Sequence, residues 1–154
     1  MTKGIALGSL LIVLLVLPST LIAQPAPGFQ YAVKFICGKS PGRILAPGVY
    51  FTAINVHNPT RGTISFNKKV AIALPEEKPG RVSQFFEARL RADEALEIDC
   101  PDILRHAQST DEFLKGFVVI QSRVELDVVA VYTAIGGTDR VETLAIERVP
   151  PRRQ

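Results

Sequence analysis

From Phe29 onward, apolar and polar positions alternate along the chain. Phe29, Tyr31, Val33, Phe35 and Cys37 are interleaved with Gln30, Ala32, Lys34 and Ile36. Successive strand side chains point to opposite faces, so this period of two predicts a half-buried strand. Gly38 to Gly42 and Ala46 to Gly48 are rich in glycine and proline and are expected to be turns. Val49 to Val56 predicts a second strand, apolar or aromatic on both faces. It should stop at His57-Asn58-Pro59, because the residue before a proline is biased away from helix. Thr63 to Leu74 predicts a third strand with Ile64, Phe66, Val70, Ile72 and Leu74 on one face. Lys68 falls on that same face, so a bulge or a break is expected near Asn67-Lys68.

Pro75 to Gly80 is expected to be a loop, Gln84 to Leu90 a strand, Arg91 to Glu94 a turn, and Leu96 to Cys100 another strand. Pro101 to His106 predicts one short helical turn, with proline at its first position. Phe117 to Ile120 and Val124 to Ala134 are rich in β-branched residues and predict core strands. Gln121-Ser122-Arg123 separates them, so a hairpin or one long bent strand is expected. Gly136 to Asp139 predicts a hairpin turn and Val141 to Val149 the last strand; Pro150-Pro151 bars further pairing. Seven to eight short strands with frequent turns predict an all-β domain. The expected architecture is a single β-sandwich of immunoglobulin-like topology, although the chain has no tryptophan to supply the core ring of antibody-type domains. Tyr31, Phe51, Phe66 and Tyr132 lie in strand patterns and are expected in the core rather than on a sugar-binding platform.

Before Phe29 the pattern changes. Lys3 precedes the apolar run Gly4 to Leu17, Pro18 breaks it, and Leu21-Ile22-Ala23 leads into polar Gln24. That order predicts a signal peptide over 1–23, cleaved after Ala23, and hence a secreted or periplasmic protein. Retained, the segment would be roughly long enough to anchor the chain in a bilayer, which is the only membrane contact expected. The organisation is then a linker over 24–28, a domain over 29–150 and a basic tail over 151–154. Without the signal the chain carries 17 basic and 15 acidic residues, a net +2, and the basic residues are scattered. No nucleic-acid partner is therefore expected. The clearest basic cluster, Arg148 with Arg152-Arg153, is expected to be a solvated chain end.

Cys37 and Cys100 are the only cysteines. In an exported chain an even pair predicts a disulfide, here closing a loop of about 64 residues worth about 4 kcal/mol of unfolded-chain entropy. Such a bond would staple a first strand to a middle one.

Each reactive constellation has a simpler structural account. Gly38-Lys39-Ser40-Pro41-Gly42 matches the G-x-S-x-G nucleophile elbow, but the prolines that follow oppose the helix this elbow needs, so Ser40 is expected in a turn. His57 and His106 are the only histidines. With Cys100 they would make a blue-copper donor set, which a disulfide forbids, and Met1 is the only methionine. Asp93, Glu94, Glu97 and Asp99 suit a solvated face better than a calcium site. Asn55 to Pro59 carries polar groups that would serve a partner, and equally serve a turn. No catalytic residue and no cofactor is expected.

Four segments, Tyr31 to Gly38, Phe51 to Pro59, Leu96 to Pro101 and Glu125 to Ala134, together resemble small exported bacterial proteins of uncharacterised function. The resemblance implies an exported domain with paired cysteines and transfers no catalytic residue. The expected function is non-catalytic: a secreted or cell-surface domain that binds an unidentified protein or cell-envelope partner, or that self-assembles. The alternative is a small-ligand or metal-binding module using His57 and His106.

Overall fold

The computed structural model describes residues 28–43, 45–137 and 140–153. The expected signal peptide, most of the linker, and Thr138-Asp139 of the hairpin turn lie outside the described residues. The strands are β1 (Phe29–Ser40), β2 (Gly48–His57), β3 (Ile64–Ala73), β4 (Pro79–Val82), β5 (Phe86–Leu90), β6 (Ala95–Asp99), β7 (Phe113–Ser122), β8 (Asp127–Ile135), β9 (Val141–Arg148) and β10 (Arg152–Arg153). A single helix, α1 (Cys100–Ala107), lies between β6 and β7. The chain is all-β, as its alternation predicts.

Every pairing is antiparallel and all belong to one sheet, ordered β4-β3-β7-β1-β2-β8-β9, with β5 on β3, β6 on β2 and β10 on β1. The pairing alone does not divide into the two separate sheets of an immunoglobulin-like domain. Its narrowest place is between β1 and β2, which pair only through Gly38, Lys39 and Ser40. Elsewhere along that edge of β1, side chains replace the ladder. Thr52 Oγ1 donates to Ile36 O and accepts from Ile36 N, both at 3.0 Å, and the Tyr132 hydroxyl donates to Lys34 O at 3.0 Å. Burial and the neighbouring Glu147 push that Tyr132 hydroxyl up to about 12.

One core cluster draws on both the β3-β7-β1 stretch and the β6-β2-β8 stretch. Tyr31, Val33, Phe35 and Cys37 of β1, Ile54 and Val56 of β2, Val118 and Ile120 of β7 and Val128 and Ala130 of β8 are all buried in it. Gly116 lies opposite Phe35 because a Cβ there would stand 2.9 Å from the Phe35 ring and 2.1 Å from Ala71 O. The Tyr31 hydroxyl, fully buried, donates to Leu126 O at 3.0 Å and accepts from Leu126 N at 2.7 Å.

Several expectations are corrected. No bulge interrupts Asn67-Lys68: the register of β3 with β7 runs unbroken from Phe66 to Ile72. Lys68 stays on the inward face at the margin beside α1, where its stem is half-buried; burial lowers its pKa, partly opposed by Asp102 and reinforced by Arg105. Phe117 to Ile120 and Val124 to Ala134 form neither a hairpin nor one bent strand; β7 pairs β1 and β3, whereas β8 pairs β2 and β9. Cys100 does not end a strand but opens α1, which is eight residues long. The Asp99 side chain accepts from Asp102 N at 3.0 Å and Asp102 reaches back to Asp99 N, a capping box that carries the helix beyond one turn. The tail is not loose: Arg152 and Arg153 pair with Gln30 and Phe29. Arg148 is apart from them, donating to Asp127. Phe51 is not in the core but 40% exposed.

Cys37 and Cys100 form the expected disulfide, with Cα atoms 5.6 Å apart, tying β1 to the start of α1. Such a bond belongs to a non-reducing environment. Among the described residues no helix is long and apolar enough to cross a membrane.

Candidate functional site

The residues singled out for chemistry are not brought together. Ser40, buried at the end of β1, donates from its hydroxyl to Leu45 O at 3.2 Å and accepts from Gly42 N at 3.3 Å. It closes a turn, and bends rather than a helix follow it. His57 ends β2 with Nδ1 3.2 Å from Asp127 Oδ2, while Arg148 donates to the other oxygen of the same carboxylate at 3.1 Å. His106 lies on α1 with its ring 4.0 Å from that of Phe86. Burial pushes its pKa down, and Lys68 and Arg105 add to the effect. The two histidines share no partner, and among the described residues no group of three His, Cys, Asp or Glu side chains is placed to hold a metal ion.

Asn58 has a structural role. Fully buried, it donates from Nδ2 to Gly62 O and Arg91 O, each at 2.8 Å, and its Oδ1 accepts from Thr60 N at 3.0 Å. It ties the β2-β3 connection to the β5-β6 turn, so this part of the Asn55 to Pro59 segment does not face a partner. A recess of about 240 Å³ opens beside α1, lined by Ile72, Arg81, Ser83, Phe86, His106 and Gln108 among others. Ser83 and His106 both line it, and the Ser83 hydroxyl is engaged with the backbone, accepting from Val70 N and donating to Gln84 O, each at 2.9 Å.

What the sheet does present is an apolar outward face on β2, β8 and β9. Because Thr52, Ile54 and Val56 point inward, Val49, Phe51, Ala53, Asn55 and His57 point outward. Their cross-strand neighbours extend the pattern in rows. Val49 lies beside Ile135 and then Val141; Phe51 beside Thr133 and Thr143; Ala53 beside Val131 and Ile146. Only the last rows turn polar, with Asn55, Val129 and Arg148, then His57 and Asp127. Exposure rises toward the margin, reaching 67% at Val141 and 69% at Ile146.

β9 is also the end of the sheet. A register shift leaves Leu144 without a partner, between Thr143 opposite Thr133 and Ala145 opposite Tyr132. A bulge of this kind bends an edge strand and hinders addition of another strand. At the start of β1, Phe29 and Gln30 are already paired, with β7 on one side and β10 on the other. At β9 the open surface is the face rather than the edge. The signal for it was present in the sequence, since Val49 to Val56 is apolar at both parities and Val141, Leu144 and Ile146 lie in one strand.

No protein-family model matches this chain, and no curated protein matches it. A solved structure, "Crystal Structure of Thermotoga maritima 1070", is similar in fold, with a TM-score of 0.53 and 10% identity over 81% of this chain and 93% of that one. At that identity the likeness is one of fold alone.

Proposed function

We propose that this chain is a non-catalytic, exported binding domain that associates with a protein partner, or with further copies in a surface assembly, through the outward face of β2, β8 and β9. The observation that carries the reading is the contiguity of that face: three rows across three strands hold Val, Phe, Ile, Ala and Thr and no charged side chain. Isolated apolar residues on a surface are ordinary, but a continuous apolar patch marks an interaction surface. Export by a signal peptide over 1–23 accounts for the disulfide. In this reading the sheet folds over at the three-residue β1-β2 contact into a two-layered sandwich of immunoglobulin-like kind, supported by the core the two stretches share.

Light scattering after size exclusion, together with cross-linking in cells that export the protein, tests the proposal. Ile146→Lys and Val141→Lys place charges on the face at positions that contribute little to the core. The parent should self-associate or be captured with a partner, and the variants should lose that association while unfolding like the parent. A parent that is monomeric and captures nothing overturns the reading.

A further inference from the structure

The outward face of the other stretch, on β1, β7 and β3, has a different character. Phe117 stands near its centre, 40% exposed. Lys34 pairs with Phe117 across β1 and β7, Lys115 lies one outward position away on β7, and Lys69 lies opposite Val119 on β3. Arg152 beside Gln30 and Arg89 beside Ser65 extend the positive charge to both margins. Among the outward-pointing strand residues that pair into this stretch, the carboxylate is Glu87, opposite Asn67. None of the three lysines has an ion-pair partner among the described residues. Instead Lys34 Nζ lies 5.1 Å from the Phe117 ring centre, and Lys69 Nζ lies 4.5 Å from that of exposed Phe85.

Ring faces, and no carboxylate ion pair among the described residues, offset the charge of Lys34 and Lys69. Burial lowers the pKa of Lys34, and the like charge of Lys115 lowers it further. The contacts of Lys34 and Lys69 with ring faces offset part of the repulsion; an anionic partner relieves the rest and covers the Phe117 ring. Lys34 and Lys69 flank β7, so their stems rise roughly 10 Å apart across a sheet surface. A linear polyanion is gripped along a groove. Here the recess opens beside α1, not on this face, and the cations surround an apolar centre. Cations around an exposed aromatic ring are what a peripheral protein presents to a lipid headgroup layer.

We propose that this face docks on an anionic lipid surface, with Lys34, Lys69 and Lys115 meeting headgroup phosphates and Phe117 entering the interface. The proposal is independent of the apolar face, which takes a protein.

The test is vesicle co-sedimentation of the protein as purified from exporting cells. It compares phosphatidylcholine vesicles with vesicles that also contain phosphatidylglycerol, at low and high salt. Reading the ratio between the two vesicle types removes any contribution of a retained apolar segment over 1–23. The parent should favour the anionic vesicles, and salt should abolish the preference. Replacing Lys34, Lys69 and Lys115 together by Gln should lower anionic partitioning on the order of 100-fold, roughly fivefold per lysine. Arg61→Gln, Lys78→Gln and Arg140→Gln combined make the same change in net charge away from this face and should leave most of the preference. Phe117→Ala, at a half-exposed position, should weaken binding on the order of 10-fold. Equal binding to both vesicle types, binding to neither, or equal loss in the two triple variants overturns the proposal. So does lysine-dependent binding of soluble polyphosphate without binding to vesicles, which would assign the face to a polyanion instead.

Discussion

The two outward faces arise from the same strand alternation and share almost nothing. On β2, β8 and β9 the outward rows are aliphatic and aromatic, ending in the His57-Asp127-Arg148 cluster, with Glu97 and Asp99 on the flanking β6. On β1, β7 and β3 the outward rows set lysines around Phe117. The inward rows of both stretches are alike, because one core imposes the same apolar demand on each. Folding places no such demand on outward positions, so their difference is what the proposed protein-binding and lipid-binding roles rest on.

The contrast between inward and outward positions is sharpest at phenylalanine. Phe35→Ala should lower the free energy of unfolding by about 4 kcal/mol, since the ring is fully buried opposite Gly116. Phe117→Ala should change it by less than about 1 kcal/mol. Urea unfolding of the two variants checks this, and equal losses would show that the outward face is structural. Asn58→Ala should cost about 2–3 kcal/mol by the same measurement, because it strands Gly62 O, Arg91 O and Thr60 N. Tyr31→Phe keeps the packing and removes only the hydroxyl that serves Leu126, and should cost about 1–2 kcal/mol. His106 adds a smaller, pH-dependent effect. Its folded pKa lies below its unfolded value of about 6.5, so the stability it contributes is present above that pH and is lost as pH falls through the folded value. The melting temperature of the parent should therefore fall on acidification more steeply than that of His106→Gln. Smallest of all on stability is Ile146→Lys, within about 0.5 kcal/mol, although association should disappear.

The strands that read clearly in the sequence are those with one buried and one solvated face. β1 is the clearest, with four consecutive inward residues buried at alternate positions from Tyr31 to Cys37. β4 and β10 were not legible, because Pro79 and Pro150-Pro151 signal the end of pairing, yet each makes a short edge pairing next to its proline. The paths of β7 and β8 could not be read locally: Ser122 lies opposite Phe29 and Phe66, and Asp127 opposite His57, contacts distant in sequence. Lys68 shares a parity with the core residues of β3 without breaking the strand, because its long stem reaches the margin beside α1. The sequence shows β2 to be apolar at both parities but not which parity faces outward: an aromatic such as Phe51 in a strand signals burial, and only the register shows which side of the sheet it is on. The lysine face was hidden likewise, since Lys34, Lys69 and Lys115 are scattered in sequence and adjacent only across strands.

Placing the photo-reactive residue p-benzoylphenylalanine at Phe51 or at Phe117, in cells that export the protein, interrogates both faces in one experiment. Protein adducts are expected from position 51 and lipid adducts, with little protein, from position 117. No protein adduct from position 51, or the same protein adducts from both positions, would contradict this expectation.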